Sequence, residues 1–447
     1  MKQNNVKYLI IGAGIAGLCA AKEATAKGDK VVVIGAGISG LSFANCVKDQ
    51  DYLIIEKEAE AGGYCRTIRK GDFVWDYAGH FFHFKTDEHK KMFIDNVEKD
   101  DIINKDKCTK ILYKDKLIDY PFQTNIHELE KQEFIECLYD LFNKEEKENY
   151  DNFLDMLYGK FGKAIVEKFL KPYNEKLYAC DLKNLDTEAM GRFFPYADLK
   201  QIINNMKDNK DSSYNNKFLY PRKGAGSFID ILSNKLDATK IKLNTEVTKI
   251  DIDKKTVQTS DGEVYNFEYL INTSPLNVFL ELTQNEKMKD LEKDLSYNKV
   301  LVFNLGFNKK SKYTKEHWMY IPSKEVNYYR IGFYDNILDT NKLSMYIEIG
   351  FSKDAKIDVK KQLDLTLENL RKTGIIDEDM ALEEYVSIIM NPAYVHITKK
   401  AEEEIEKLKE NLGKNSIYTI GRYGGWTYCS MEDCMIEAEN LAEKINK

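Results

Sequence analysis

Arginine is scarce in this 447-residue chain: of 66 basic residues only seven are arginine and the rest are lysine. Basic charge is in deficit overall, with a formal net charge of −7, so no electropositive surplus is available for a nucleic-acid backbone. Histidine (six) and cysteine (eight) are sparse, and the cysteines at 19, 46, 65, 108, 137, 180, 429 and 434 include no CxxC pair. That excludes an obvious zinc site, so no metal is expected, and reduced thiols in a cytoplasmic protein are the expectation. Long apolar runs are also missing. The most apolar stretch, around residues 31–41, is broken by glycine and too short to span a bilayer. The opening MKQNNVKYLIIGAG lacks the charged start and small-residue cleavage site of a signal peptide. What remains is a soluble globular chain, 43% hydrophobic and 31% charged, long enough for two or three interleaved domains.

The arginine shortage is informative in itself. A chain that covers its surface with lysine keeps arginine where a planar, bidentate donor is needed. The seven are Arg66, Arg69, Arg192, Arg222, Arg330, Arg371 and Arg422. Most fall inside the motifs that follow, which points to anionic ligands. Arg371 ends an amphipathic stretch and reads as a solvated last-turn residue.

GxGxxG occurs twice, as Gly12, Gly14, Gly17 and as Gly35, Gly37, Gly40. The motif gains meaning when a strand feeds it and an acid follows about twenty residues later. The second copy meets both conditions: VVVI precedes Gly35, and YLIIE ends in Glu56, placed to accept from ribose hydroxyls. Its glycines let backbone approach a pyrophosphate at a helix N-terminus. In the first copy Gly35 stands where the acid should be, so residues 1–30 read as an extra βα unit. The alternative, that the first copy forms the site, stays open.

After Glu56 comes EAEAGGYCRT, and near the C-terminus IGRYGGWTYCSMEDC precedes a helical pattern starting near Met431. Acid, spacer, paired Gly62–Gly63 and then Arg66 resemble the flavoprotein family of amine oxidases, protoporphyrinogen oxidases and UDP-galactopyranose mutases. The resemblance implies FAD, held by Gly35, Gly37, Gly40, Glu56, Gly62, Gly63, Arg66, Gly421 and Arg422. It also implies an α/β fold: a Rossmann-type FAD-binding domain, a parallel sheet with helices, from residues 31–85, 216–285 and 405–447. A mainly helical substrate domain (86–215) and an antiparallel sheet domain (286–404) are inserted into it.

Several segments resemble the UDP-galactopyranose mutases in particular: GHFFHF (79–84), DYPFQTNI (119–126), FLKPYNEKLYACDLKNLDTEAMGRF (169–193), HWMYIP (317–322), NYYRIGFYDN (327–336), NPAYVHI (391–397) and GRYGGWTY (421–428). That likeness runs from about residue 31 to the C-terminus. It implies uridine contacts from Tyr120, Phe122, Gln123, Asn174 and Tyr178, and a diphosphate grip by Arg192 and Arg330. Tyr320, Tyr394 and Tyr428 would add hydroxyl groups, with His80 and His83 beside the flavin and sugar. The implied activity is pyranose–furanose isomerisation of a UDP-sugar, with N5 of reduced FAD as nucleophile and no net redox change. The implied partner is that UDP-sugar, and a homo-oligomer is left open. An FAD oxidase or desaturase of the amine oxidase or protoporphyrinogen oxidase type is the alternative, and a non-catalytic binding protein a third reading. No Ser–His–Asp or paired-acid constellation is visible, and Glu432 and Asp433 read as first-turn helix acids.

Overall fold

The computed structural model describes residues 3–5, 8–11, 31–34 and 52–446, apart from 209–216, 235, 237, 239, 240 and 268. Both GxGxxG motifs, including Gly35, Gly37 and Gly40, therefore lie outside the described residues.

Short β-branched and aliphatic runs build the nucleotide-type sheet. Its six strands lie in the order Ile241–Lys242, Tyr52–Ile55, Val31–Ile34, Tyr8–Ile11, Tyr269–Asn272, Ile417–Thr419, and every neighbouring pair is parallel. Continuous apolar quartets such as YLII and VVVI suit interior parallel strands. The strand Tyr8–Ile11, from the segment that reads in sequence as an extra unit, is thus an integral member of the sheet. It sits between Val31–Ile34 and Tyr269–Asn272, where the strand order reverses direction.

A second, seven-stranded sheet has the order Leu382–Met390, Asn298–Phe307, Ser344–Ser352, Arg330–Phe333, Trp318–Tyr320, Thr109–Tyr113, Lys116–Asp119. Neighbours are antiparallel, except that Trp318–Tyr320 runs parallel to Thr109–Tyr113. The 86–215 segment, expected mainly helical, therefore gives a hairpin to this sheet. It also gives the strand Ile102–Asp106, which pairs with Lys217–Pro221. The hairpin turns through two charged residues, Lys114 (φ 54°) and Asp115, and no glycine marks it.

Alternation along the strands sorts the two faces of this sheet. Met345, Ile347 and Ile349 join Leu301, Phe303, Ile331 and Phe333 in a core with Leu363 and Leu370 of the helix Val359–Lys372. The intervening Tyr346 and Glu348 point the other way, as do their cross-strand partners. One transverse row reads Tyr320, Arg330, Glu348, Val302, and the next reads Trp318, Gly332, Tyr346, Asn304.

The helix Phe153–Ile165 is followed by a second helix, Lys171–Tyr178, which packs against the strand Ser344–Ser352 of this sheet. Lys176 docks the second helix, its Nζ donating to the carbonyls of Ile321 (3.1 Å), Ser323 (2.7 Å) and Tyr328. At the same contact a Cβ on Gly350 would lie 2.1 Å from the Lys176 carbonyl oxygen. Because backbone, not a movable side chain, fills that space, Gly350→Ala should destabilise the protein by about 3 kcal/mol. A lowered urea midpoint checks this, and an unchanged midpoint would refute the docking account.

Candidate active site

Between the segments that follow the parallel strands Tyr52–Ile55 and Tyr269–Asn272 and one face of the second sheet lies a cavity of about 1460 Å³. Pockets for one ligand run to about 300–1,000 Å³, so this one has room for a cofactor and a second molecule. Four of the seven arginines, Arg66, Arg192, Arg330 and Arg422, line it. Arg69, Arg222 and Arg371 instead bind the Lys223 carbonyl, the Leu338 carbonyl and Glu378.

At the parallel-sheet end, Glu56 follows the strand Tyr52–Ile55 and is only 7% exposed. Its backbone is clamped by Lys242 and Thr245, each at 2.8 Å. The carboxylate Oε1 accepts from the Glu58 N–H at 3.0 Å. Gly62 (φ 120°) and Gly63 (φ 54°) turn the chain through left-handed conformations that favour glycine. A Cβ on Gly62 would also lie 2.6 Å from Arg66 Cγ. Arg66 donates from Nε to the Gly63 carbonyl (2.9 Å) and covers the Tyr77 ring at 4.6 Å. Glu56, Gly62, Gly63 and Arg66 all line the cavity.

Opposite them stands the start of the C-terminal helix, Met431–Asn446. Ser430 caps it reciprocally: Ser430 Oγ accepts from the Asp433 N–H (3.2 Å), and Asp433 Oδ2 accepts from the Ser430 N–H (2.9 Å). Gly421 (φ 84°) gives its N–H to Glu437 at 2.8 Å. Arg422 donates to the Cys429 carbonyl (2.8 Å) and lies over the Tyr428 ring at 4.4 Å. The first-turn acids are structural, as their position implies. Glu432 accepts from the N–H groups of Lys85 and Thr86 and pairs with buried His89 at 3.0 Å. Asp433 holds Arg192 at 2.6 Å and Lys85 at 2.5 Å. Those bonds and the Ser430 amide outweigh burial and hold the Asp433 carboxyl well below its usual range.

A dinucleotide needs a turn with no side chains, an acid for ribose and fixed cations for phosphate. Gly62–Gly63, buried Glu56 and the pinned guanidinium groups of Arg66 and Arg422 provide all three, so the residues present fit FAD.

At the other end the sheet face supplies Arg330. Its Nη1 lies 3.6 Å from Glu348 Oε1, and its guanidinium is surrounded by Tyr346 (5.4 Å), Trp318 (5.9 Å) and Tyr320 (6.0 Å). Gly332 makes room for this, since a Cβ there would fall 1.8 Å from the Tyr346 ring. Arg330 Nε, Glu348 Oε2, Tyr329 Oη and Tyr346 Oη are buried with no hydrogen-bond partner. Each such group costs about 1–3 kcal/mol, so the cluster is built for a polar ligand.

Tyr120 and Tyr320 pack at 4.9 Å, and Tyr394 stacks on Tyr428 at 5.8 Å. All four line the cavity, as do His80 and His83. His80 donates from Nδ1 to the Ala78 carbonyl (2.9 Å), which leaves Nε2 as an acceptor. His83 Nδ1 likewise bonds the Lys217 carbonyl at 3.0 Å. Burial pushes both imidazoles down to about 4, so both are neutral at pH 7.

Phe122, Gln123, Asn174 and Tyr178 do not reach the cavity wall. Phe122 stacks on Phe169 (5.1 Å), and Gln123 donates to the Pro195 carbonyl. Asn174 donates to the Leu170 carbonyl (2.6 Å), and Tyr178 reaches the Ala189 carbonyl (3.4 Å). They form the layer behind the wall. Tyr173, Trp318, Tyr329 and Glu348, which sequence reasoning missed, line the cavity instead. A signal existed for Glu348: it is the one acid in the apolar run MYIEIGF.

The buried His80 ties the stability of the fold to pH. Unfolded, its imidazole takes up a proton near pH 6.5, whereas the folded protein resists protonation until about 4. Its contribution to stability is therefore complete above pH 6.5 and is lost as pH falls through that window. Relative to His80→Asn, the parent should lose about 2–3 kcal/mol between pH 6.5 and 4. Urea titrations at both pH values measure this, and parallel curves for the two proteins would contradict it.

The chain matches the flavin containing amine oxidoreductase family over residues 38–446. The match begins inside the second GxGxxG, leaving the extra N-terminal unit outside it. Among solved structures, reduced UDP-galactopyranose mutase is similar with a TM-score of 0.86 and 23% identity, covering 98% of this chain and 93% of that one. A protein assigned as a protoporphyrinogen oxidase from Exiguobacterium sp. 255-15 gives 0.70 and 18%, covering 100% and 99%. The CLA-producing fatty acid isomerase from P. acnes gives 0.64 and 13%, covering 98% of each chain. These likenesses share the α/β architecture described above, and the extent of the family match makes the chain a member of the flavin containing amine oxidoreductases.

Proposed function

We propose that this protein is a flavin-dependent mutase that interconverts the pyranose and furanose forms of a UDP-sugar, with reduced FAD as cofactor. The observation that carries this reading is the unpartnered polar cluster around Arg330, set in an aromatic wall of a cavity larger than one ligand needs. A nucleoside diphosphate brings anionic oxygens for guanidinium forks and a flat base for tyrosine rings. An amine-oxidising relative must admit a cation, and the four guanidinium groups that line the cavity oppose that.

Glu56, Gly62, Gly63, Arg66, Gly421 and Arg422 would hold the FAD, with Gly35, Gly37 and Gly40 completing the cradle. When bound, the flavin supplies the covalent chemistry at the anomeric carbon. The protein's own residues position and neutralise. Arg330 and Arg192, fixed by Glu348 and Asp433, would grip the diphosphate and offset charge on the departing UDP. Neutral His80 would present Nε2 to a sugar hydroxyl, and Tyr320, Tyr394 and Tyr428 would add hydroxyl donors. Tyr120 would face the base, while Phe122, Gln123, Asn174 and Tyr178 keep the wall in place. The tyrosine and tryptophan rings around Arg330 would exclude water from the oriented pair.

The test is anaerobic. Dithionite-reduced holoprotein should interconvert UDP-galactopyranose and UDP-galactofuranose by HPLC, and the oxidised protein should not. Oxygen-consuming turnover of an amine, or no conversion by flavin-loaded protein, would overturn the proposal. Arg330→Ala should keep its flavin absorbance yet lose about 10²–10³-fold in kcat/KM, and parent-like turnover would remove Arg330 from this role.

A further inference from the structure

Two thiols meet on the cavity wall at the start of the C-terminal helix. Cys429 lies directly before the capping residue Ser430, and Cys434 is the fourth residue of Met431–Asn446. Their Sγ atoms are 3.4 Å apart, and both residues line the cavity, so an oxidant entering it reaches both. A disulfide needs the sulfurs to close to about 2.05 Å, and five residues of separation across a helix start leave that short movement to side chains and one loop. A third thiol, Cys65, is occupied beside them, 3.6 Å from Met431 Sδ, with its proton held by burial that pushes it up to about 12.

We infer that Cys429 and Cys434 form a redox-active dithiol that closes reversibly to an intrachain disulfide. With hydrogen peroxide as oxidant, one sulfur attacks a peroxide oxygen, giving a sulfenic acid and water. The second sulfur then attacks the sulfenic sulfur, forming the S–S bond and releasing a second water. Two thiols lose two electrons and two protons, and the peroxide is reduced to two waters. A small dithiol reverses this by exchange. Within the pair Cys429 keeps its proton, because the bond to Cys434 and burial hold it far above the ordinary thiol range. The linkage also has mechanical partners: the Cys429 carbonyl holds Arg422, and Asp433, between the two cysteines, holds Arg192. Closure thus acts on two of the four cavity-lining arginines, Arg422 and Arg192, at once.

The experiment uses the folded full chain with its flavin. No lysine or arginine lies between residues 423 and 443, so trypsin leaves both cysteines in one peptide, 423–444. After peroxide treatment and quenching with iodoacetamide, that peptide should carry no alkyl group and be lighter than the dithiol form by two hydrogens. Dithiothreitol should restore two alkylation sites, and the oxidised fraction should follow a two-electron titration against oxidised and reduced dithiothreitol. In Cys434→Ser the peptide should retain one alkylatable thiol at peroxide levels that close the parent. Full alkylation of both cysteines after peroxide, irreversible sulfinic acid without a disulfide, or pairing of either with Cys65 would overturn the inference.

Discussion

The site depends on one cross-strand register. Arg330 sits directly between Tyr320 and Glu348 on adjacent antiparallel strands, so its neighbours are fixed by the hydrogen-bond ladder, not by flexible side-chain choice. A slip of one residue would turn Arg330 into the apolar core and put Ile331 in the cavity. The register is protected from the far side, where Met345, Ile347, Ile349 and Phe333 pack beneath the helix Val359–Lys372. Packing on one face of the sheet thus secures a buried guanidinium on the other.

The start of the C-terminal helix is the complementary joint. Within a few residues it engages Gly421 through Glu437, Arg192 through Asp433, and Lys85, Thr86 and His89 through Glu432. These partners come from distant segments of the chain, and two of them, Gly421 and Arg192, border the cavity. Cofactor cradle and ligand grip are therefore braced by a single helix turn whose own cap, Ser430, is part of the wall.

Much of this was legible in the sequence. The paired Gly62–Gly63 stands at a turn that the structure builds with positive φ, and of the seven scarce arginines four converge on one cavity. The aromatic and β-branched runs within residues 297–352 suggested antiparallel strands, and the structure has them there. Other features were hidden for physical reasons. The hairpin Thr109–Tyr113/Lys116–Asp119 turns through Lys114–Asp115 without glycine, and its strand partner, Trp318–Tyr320, lies about two hundred residues away. With 28 tyrosines in the chain, local pattern cannot separate Tyr329, which lines the cavity, from Tyr178, which lies behind it. Register and helix docking make that distinction.

The strand Tyr8–Ile11 is a fully enclosed member of the parallel sheet. Tyr52, Val31, Tyr8 and Tyr269 stand in one unbroken row, so this strand keeps step with its neighbours on both sides. A parallel ladder offers the same evenly spaced bonds at every position. Both edges of the strand are satisfied, and the borders of the sheet are Ile241–Lys242 and Ile417–Thr419. At a border the same strand would have presented a line of open backbone groups to other chains; held inside, it widens the sheet without adding a sticky rim.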